Sequence, residues 1–496
     1  MRILLHCDYD KDSIAENFGL SEYSYWFVHE SFRRVLEEVA TTEAIRDPAQ
    51  ADVIWRQSMA AGEPCLLLSF NPPHKTPLGL ACPTIPVFAW EYPDLPRASD
   101  ESSWNMDPRH DWETVFRQVP AAITLSTHTA DAVKRRLGPD YPIAVIPTPL
   151  WDRLAAVREK VQTRDSRAGR ELRLNAEVVD SRALGLDVNG HFDPAHQDGT
   201  CFDPEDDRIL APNPPWDGDR WAPPATEARD LPSNPPSPAR LADESEPISA
   251  GWFIPPAMNI RTRLGAVVYT SVLTPADGRK NWADILTAFI WALRDADEAV
   301  LIFKMGGGEQ IWHHQRMVEL LSRLSPFKCR VLVIHGYLGP GEYENLITNT
   351  DYYVNASLCE GLCMPLMEYL SCGIPAIAPD HTAMADYIDP DNAFVVGSGD
   401  GAPMVWPYGD LQQTRTTRPR IDWQSLMQAF RDSYRLATVD PAGYAAMSAR
   451  AAESMRGYCG NAASKRRLAD FLEAFGAPLA LSHDSQPIDA DAHSRP

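Results

Sequence analysis

The stretch that most constrains the fold runs from Ser357 to Ile388 and reads SLCEGLCMPLMEYLSCGIPAIAPDHTAMADYI. Just before it, DYYVNAS is a short apolar run of strand character. Glu360 and Gly361 open a tight loop. Pro365 suits the first turn of a helix, where its missing N–H is no loss. LMEYLSC has helical spacing, Gly373 ends it, and PAIAPD is the next strand. The unit is therefore strand, loop, helix, strand, with Glu360 on the loop and Glu368 on the helix. The loop and first helical turn present unpaired backbone N–H groups, which favour an anion. Glu368 closes that turn and would lie beside a bound phosphate, where a carboxylate can accept two hydrogen bonds from a cis-diol such as ribose. Glu360 sits nearer the open end of such a site, where a sugar would lie. A glutamate early in a helix is also favoured by the helix dipole alone, so spacing by itself leaves both readings open.

The rest of the chain follows the same alternation. MRILLHC, ADVIWRQ, PCLLLSF, TIPVFAWE, AAITLS and IAVIPT read as strands, and YSYWFVHESFRRVLEEVA and THTADAVKRRLG as helices. Strands separated by helices imply a parallel sheet. NFGLSEYSYWF places Gly19 between the first strand and first helix, on the edge where open α/β sheets bind ligands. Gly19 is thus a candidate wall of a cleft, although an ordinary turn capped by Ser21 reads the same way. TIPVFAWE ends in Glu91, a second candidate for that wall. From about Leu154 to Ala250, Pro, Asp and Asn become dense, a composition that buries little apolar surface. This span is expected to be an insertion and linker, partly disordered, in which RELRLNAEVVD and ALGLDVNG form a small hairpin.

A second α/β domain starts at LGAVVYTS and continues through AVLIFKM, CRVLVIHG, DYYVNAS, PAIAPD and AFVVG. The helix NWADILTAFIWALRDA shows one apolar face. Tyr444 to Phe475 is largely helical, and the tail after it is expected to be disordered. The expected organisation is a first Rossmann-like domain over 1–155, a Pro/Asp-rich insertion and linker over 156–258, and a second Rossmann-like domain over 259–440. Helices over 441–478 and a tail over 479–496 follow.

A chain of 496 residues is long for a single core. Its formal charge of −22 argues against a nucleic-acid partner, which calls for a basic face. No run approaches the roughly 20 apolar residues of a spanning helix, and MRILLHCDYD reads as a first core strand rather than a signal peptide. The nine cysteines are scattered without paired CxxC motifs, so no zinc site is expected. An odd cysteine count without an export signal points to reduced thiols in the cytoplasm. Paired aspartates such as DADE do not end a strand at the cleft, so no metal site is expected there either.

Taken together, Glu360, Gly361, Pro365, Glu368, Cys372, Gly373 and Pro375 resemble the donor-site motif of retaining GT-B glycosyltransferases, particularly glycosyltransferase family 4. The usual form is E-G-F-G-L-P, a second Glu at the same interval, a small-residue helix and C-G-x-P. This chain departs at Leu362, where an aromatic is usual, and at Cys363, where a second Gly is usual. The resemblance implies two Rossmann-like domains facing across a cleft, the first on the acceptor side and the second holding the donor. It implies retaining transfer of a sugar, of hexosyl type, from a nucleotide diphosphate sugar to an acceptor hydroxyl in polysaccharide or glycan biosynthesis. The last helices would cross back to the first domain.

The same resemblance assigns the site. In TPADGRKNWADIL, Arg279 and Lys280 would hold the donor diphosphate; the family's upstream Arg is missing, since the strand ends Tyr269-Thr270-Ser271, and Arg279 stands in for it. Such cations would stabilise the charge that builds on the leaving group. Glu360 would face the sugar, Glu368 the ribose, and Gly361, Leu362, Cys363 and Met364 would line the loop between. Gly307, within a glycine triplet, would allow close approach of phosphate or base. Tyr337 would lie at the nucleobase and His381 at the sugar phosphate, while Glu91 stands where the family often has a His. No metal or cofactor is expected, because cations and helix dipoles serve instead. The implied partners are the nucleotide-sugar donor and a carbohydrate or lipid-linked acceptor, with peripheral contact at the inner face of a membrane among the options. A phosphorylase, a sugar-nucleotide epimerase and an inactive scaffold of the same fold remain open alternatives.

Overall fold

Two parallel sheets organise the chain in its computed structural model, which describes residues 1–9, 24–97, 107–164, 170–184, 260–306, 310–408 and 412–476. Gly19, Gly307, residues 185–258 of the Pro/Asp-rich span and the tail 479–496 lie outside the described residues. The first sheet contains β1 (Arg2–His6), β2 (Thr41–Ala44), β3 (Cys65–Ser69), β4 (Thr84–Phe88), β5 (Ala122–Thr124) and β6 (Ile143–Val145). Its order is β2-β1-β3-β4-β5-β6 and every pairing is parallel. Around it lie α1 (Ser24–Leu36), α2 (Gln50–Ala60), α3 (Trp112–Phe116) and α4 (Thr127–Leu137). At α4 the local code is plain. Ser126, in extended backbone, accepts from the Thr129 N–H, and Gly138 at φ 103° stops the helix.

Next come α5 (Ala155–Gln162), β7 (Glu171–Leu174), β8 (Glu177–Asp180) and β9 (Ile260–Arg263). The second domain is built from β10 (Val267–Leu273), α6 (Trp282–Leu293), β11 (Ala299–Met305), α7 (Gln310–Leu324), β12 (Arg330–His335) and α8 (Pro340–Thr348). It continues through β13 (Tyr352–Val354), α9 (Met364–Ser371), β14 (Ala376–Ala378) and β15 (Ala393–Val395). The sheet order is β15-β14-β13-β10-β11-β12-β8. All its pairings are parallel except β8 on β12. Every residue of β11 and β12 is buried, as in strands covered on both faces. The strand order reverses between β10 and β13, and α/β sheets hold ligands at the carboxyl ends beside such a reversal. The expected pair of Rossmann-like domains is therefore present.

Two features differ from the sequence reading. RELRLNAEVVD forms two strands that do not pair with each other. Instead β7 pairs with β9, and β8 becomes an antiparallel edge of the second sheet. Part of the span assigned to the linker thus belongs to the second domain. Leu172, Leu174, Val178 and Val179 are all buried there, and this local apolar content is lost in the average composition of the span. The second difference follows β15. A hairpin of β16 (Ser398–Tyr408) and β17 (Gln412–Ile421) leads into α10 (Trp423–Val439), where the sequence reading placed no element. Pro403, Pro407 and Pro419 argue against a strand by the usual signals, and a two-stranded hairpin tolerates them because its outer edges are unpaired.

The domains are joined at more than the linker. After α11 (Pro441–Cys459), α12 (Asn461–Phe471) packs on α1 and β6. Leu468 and Phe471 share one apolar cluster with Ile3, Phe32 and Val35, and Leu366, Met367 and Leu370 of α9 complete it. The Trp151 indole donates to the Ala452 carbonyl at 2.8 Å, and the Arg158 guanidinium lies 3.6 Å over the Trp151 ring. Further along the connection, Arg164 and Arg170 converge on the fully buried Asp351 at 2.7 and 2.6 Å.

Candidate active site

The β10–α6 loop brings the cations forward. Asp277 accepts from the Arg279 N–H, folding DGRK into a single tight turn, and Asn281 in the left-handed region (φ 51°) starts α6. The β13–α9 loop approaches from the other side of the strand reversal with Glu360. Lys280 Nζ donates to Glu360 Oε1 at 2.6 Å, and Arg279 Nη1 donates to Glu360 Oε2 at 2.8 Å and to the Cys359 carbonyl at 3.0 Å. Arg279 Nε lies 3.0 Å from Asp277 Oδ2. The remaining arm of the guanidinium crosses the domain interface: Nη2 donates to Glu91 Oε1 at 3.1 Å. Arg279, Lys280, Glu360 and Glu91, four residues singled out in the sequence, thus meet at one point. The recess between Lys280, Glu360 and the ends of β10 and β13 holds about 10 Å³, room for a single water at most.

Electrostatics distinguishes the two glutamates. Burial raises the Glu360 carboxyl, but Lys280 and Arg279 more than reverse this and bring it down to about 2. Glu91 is raised instead: burial dominates, Arg279 opposes it, and the nearby Glu360 and Asp277 charges push it further up. His381 is held down to about 4 by burial. Its Nδ1 faces Thr382 Oγ1 at 3.4 Å, and its Nε2 is buried without a hydrogen-bond partner in the described structure.

The loop residues have identifiable tasks. At Gly361 an added Cβ would come within 3.0 Å of the Trp90 amide nitrogen and 3.1 Å of Ala89 Cβ, so the glycine permits the first domain's backbone to lie against the loop. The Leu362 carbonyl accepts from the Tyr387 hydroxyl at 2.7 Å. Cys363 is in the left-handed region (φ 63°), where glycine is the usual residue. Its Sγ accepts from Asn355 Nδ2 at 2.9 Å, and burial pushes the thiol up to about 12. Met364 begins α9. Glu368 sits on α9 away from the Arg279 cluster. Tyr343 donates to its Oε2 at 2.8 Å, and Arg153, from the chain joining the domains, bonds its Oε1. Tyr337 lies apart, with 44% of its surface exposed.

Sequence reasoning missed Asp277, Tyr343 and Arg153. The first has a signal, an Asp two residues before Arg279 at a turn. The others have none, since Arg153 and Glu368 are distant in sequence and meet only in the fold.

Residues 266–406 match the family model described as glycosyl transferases, group 1. The matched span lies in the second domain. Arg279, Lys280, Glu360 and Glu368 all lie inside the matched span, whereas Glu91 and Arg153 come from outside it. Among curated proteins, none matches the sequence. Solved structures similar to the chain include Anabaena HepE in complex with UDP and glucose, at 12% identity and TM-score 0.44, covering 96% of this chain and 100% of that one. Sucrose-phosphate synthase from Thermosynechococcus elongatus is similar at 12% identity and TM-score 0.46, covering 96% and 99%. A glycosyltransferase from Rickettsia africae is similar at 10% identity and TM-score 0.44, covering 95% and 98%. Among the described residues, no helix is long and apolar enough to cross a membrane.

Proposed function

We propose that this chain is a retaining glycosyltransferase that moves a hexosyl group from a nucleoside diphosphate sugar to an acceptor hydroxyl without a metal ion. The observation that carries this reading is the convergence of Arg279 and Lys280 on Glu360 at the strand reversal of the domain that matches the group 1 glycosyl transferases. When the bond from sugar to diphosphate breaks, negative charge grows on the leaving phosphate. Arg279 offers a two-pronged contact to it and Lys280 a point charge, both fixed in advance by their turn. In the described state carboxylates hold those cations, and the diphosphate would take their place. Glu360 would turn toward the sugar, where its charge offsets the positive charge developing at the anomeric carbon. Glu368 would exchange Arg153 for the ribose hydroxyls. The leaving phosphate itself can accept the acceptor's proton, so no separate nucleophile is required. A carbohydrate or lipid-linked acceptor would enter from the first domain, past Glu91, in glycan or polysaccharide assembly.

Thermal unfolding with UDP, GDP, ADP and CMP, in the presence of EDTA, tests the donor half. A nucleotide at about 100 times its dissociation constant should stabilise the protein by roughly 2.7 kcal/mol. Lys280→Ala should abolish that shift and lower transfer by roughly 10²–10³-fold. Full activity in Lys280→Ala, or a shift that needs a divalent ion, would remove the proposal's basis. Turnover of the sugar nucleotide without acceptor would indicate an epimerase instead, and a requirement for free phosphate a phosphorylase.

A further inference from the structure

Three non-glycine residues among those described adopt left-handed backbone, and all three stand in the loops around Glu360: Asn281 next to Lys280, Cys363 after Glu360 itself, and Thr382 beyond β14. Thr382, at φ 53°, is the most strained kind, because a β-branched side chain crowds its own backbone there. Glycine would take the same backbone freely. Strain of this sort persists where surrounding contacts over-determine it, and it gathers at working sites. What threonine adds over glycine at this backbone is a hydroxyl.

That hydroxyl is turned toward Glu360. Thr382 Oγ1 donates its hydrogen to the His381 carbonyl at 2.7 Å, which leaves its lone pairs for other donors. It accepts from the Glu360 N–H at 3.1 Å. One residue further, the Ala383 N–H donates to the Glu360 carbonyl at 3.2 Å. Both main-chain polar groups of Glu360 are therefore held by two adjacent residues, while its carboxylate is held by Lys280 and Arg279. The holding turn is itself anchored. It runs from Thr382 to Asp386 as one 3₁₀ stretch, and the Asp386 carboxylate accepts from the Thr127 N–H at the start of α4 at 2.8 Å. Through this turn the first domain braces the loop that carries Glu360.

We infer that Thr382 is a positioning residue, whose hydroxyl fixes the Glu360 main chain so that the carboxylate has one place from which to face the sugar. The inference rests on the transfer reading for what Glu360 does, and on the main-chain contacts alone for the hold itself.

Thr382→Gly and Thr382→Ser separate the hydroxyl from the strain. Both relieve the crowding, only serine keeps the hydroxyl, and glycine suits this backbone, so the fold is expected to survive in each. The first readout is amide hydrogen exchange of the full chain, without ligand, across the loop from Leu358 to Cys363. The Glu360 amide should exchange at least about tenfold faster in Thr382→Gly than in the parent protein, and at the parent's rate in Thr382→Ser. The second readout is release of nucleoside diphosphate from UDP-glucose, UDP-N-acetylglucosamine and GDP-mannose, with water as the acceptor. Thr382→Gly should lower kcat by roughly 10–10²-fold, the scale of a small misplacement of a catalytic group. KM should stay within about twofold, because Glu360 acts as charge develops rather than in binding. Thr382→Ser should restore kcat. A Glu360 amide that exchanges alike in all three proteins overturns the inference. So does a kcat in Thr382→Gly equal to the parent's, or one lost equally in Thr382→Ser. If the parent protein releases nucleoside diphosphate from none of the three sugar nucleotides, the transfer reading falls, and faster exchange in Thr382→Gly alone still identifies Thr382 as the residue that holds Glu360.

Discussion

Glu360 is a residue on which opposing effects can be weighed. Burial disfavours its charge, yet two cations within 2.8 Å win, and its carboxyl sits at about 2 against an ordinary 4.5. A folded value below the unfolded one stabilises the protein above pH 4.5, and that contribution is lost as pH falls from 4.5 toward 2. Its size is of the order of a few kcal/mol, since one unit corresponds to about 1.4 kcal/mol. Glu91 acts in the opposite sense. Its raised folded value means that acidification relieves a penalty as it titrates. Urea unfolding followed from pH 7 to pH 3 should therefore show a shallower acid loss in Glu360→Gln than in the parent protein, and a steeper one in Glu91→Gln. Identical slopes in all three would mean that these carboxyls titrate alike in the folded and unfolded chain. Cys363 illustrates a different balance. A side chain in the left-handed region costs about 1 kcal/mol or more, and the bond from Asn355 to its sulfur offsets part of that.

Among the elements, those formed by continuous apolar runs were legible: AVLIFKM and CRVLVIHG became β11 and β12, buried throughout. The loop-and-helix unit around Glu360 was legible for another reason, that Gly, Pro and Glu each fix a local backbone or charge requirement. Partners supplied by the fold were hidden. The β8 edge depends on β12, the β16–β17 hairpin carries prolines, and the Arg153 contact to Glu368 joins segments far apart in sequence. The Asp351 cluster belongs to the same hidden class. It ties the connection after α5 to the start of β13 through Arg164 and Arg170, and it also accepts from the Val268 amide at 2.8 Å. Removing the carboxylate would take from two poorly solvated guanidinium groups the ion pair that they share. Asp351→Ala should cost about 3–5 kcal/mol in urea unfolding at neutral pH, whereas Glu344→Ala, which loses only an exposed pair with Lys160, should cost under about 1 kcal/mol. Equal costs would show that the buried cluster does not hold the connection.

At the scale of the whole molecule, the two domains are latched through the groups that the proposed reading assigns to the donor. Glu91 of the first domain holds Arg279, and Arg153 of the connection holds Glu368. Donor binding on the proposed reading breaks both contacts. Glu91→Gln removes one competing charge, so it should raise UDP affinity by roughly tenfold, or about 1.4 kcal/mol, and increase the ligand-free radius of gyration in solution scattering. Unchanged affinity together with unchanged dimensions would show that the Glu91 contact neither competes with phosphate nor restrains the domains. The shared apolar cluster beneath this latch has a consequence for how the chain is made. Phe32 and Val35 of the first domain are covered in part by Leu468 and Phe471 of α12. At ribosomal rates of about 5–20 residues per second, the surface that α12 covers stays open for tens of seconds after β6 is synthesised. A growing chain of this protein therefore spends most of its synthesis with the apolar face of α1 still waiting for its last cover.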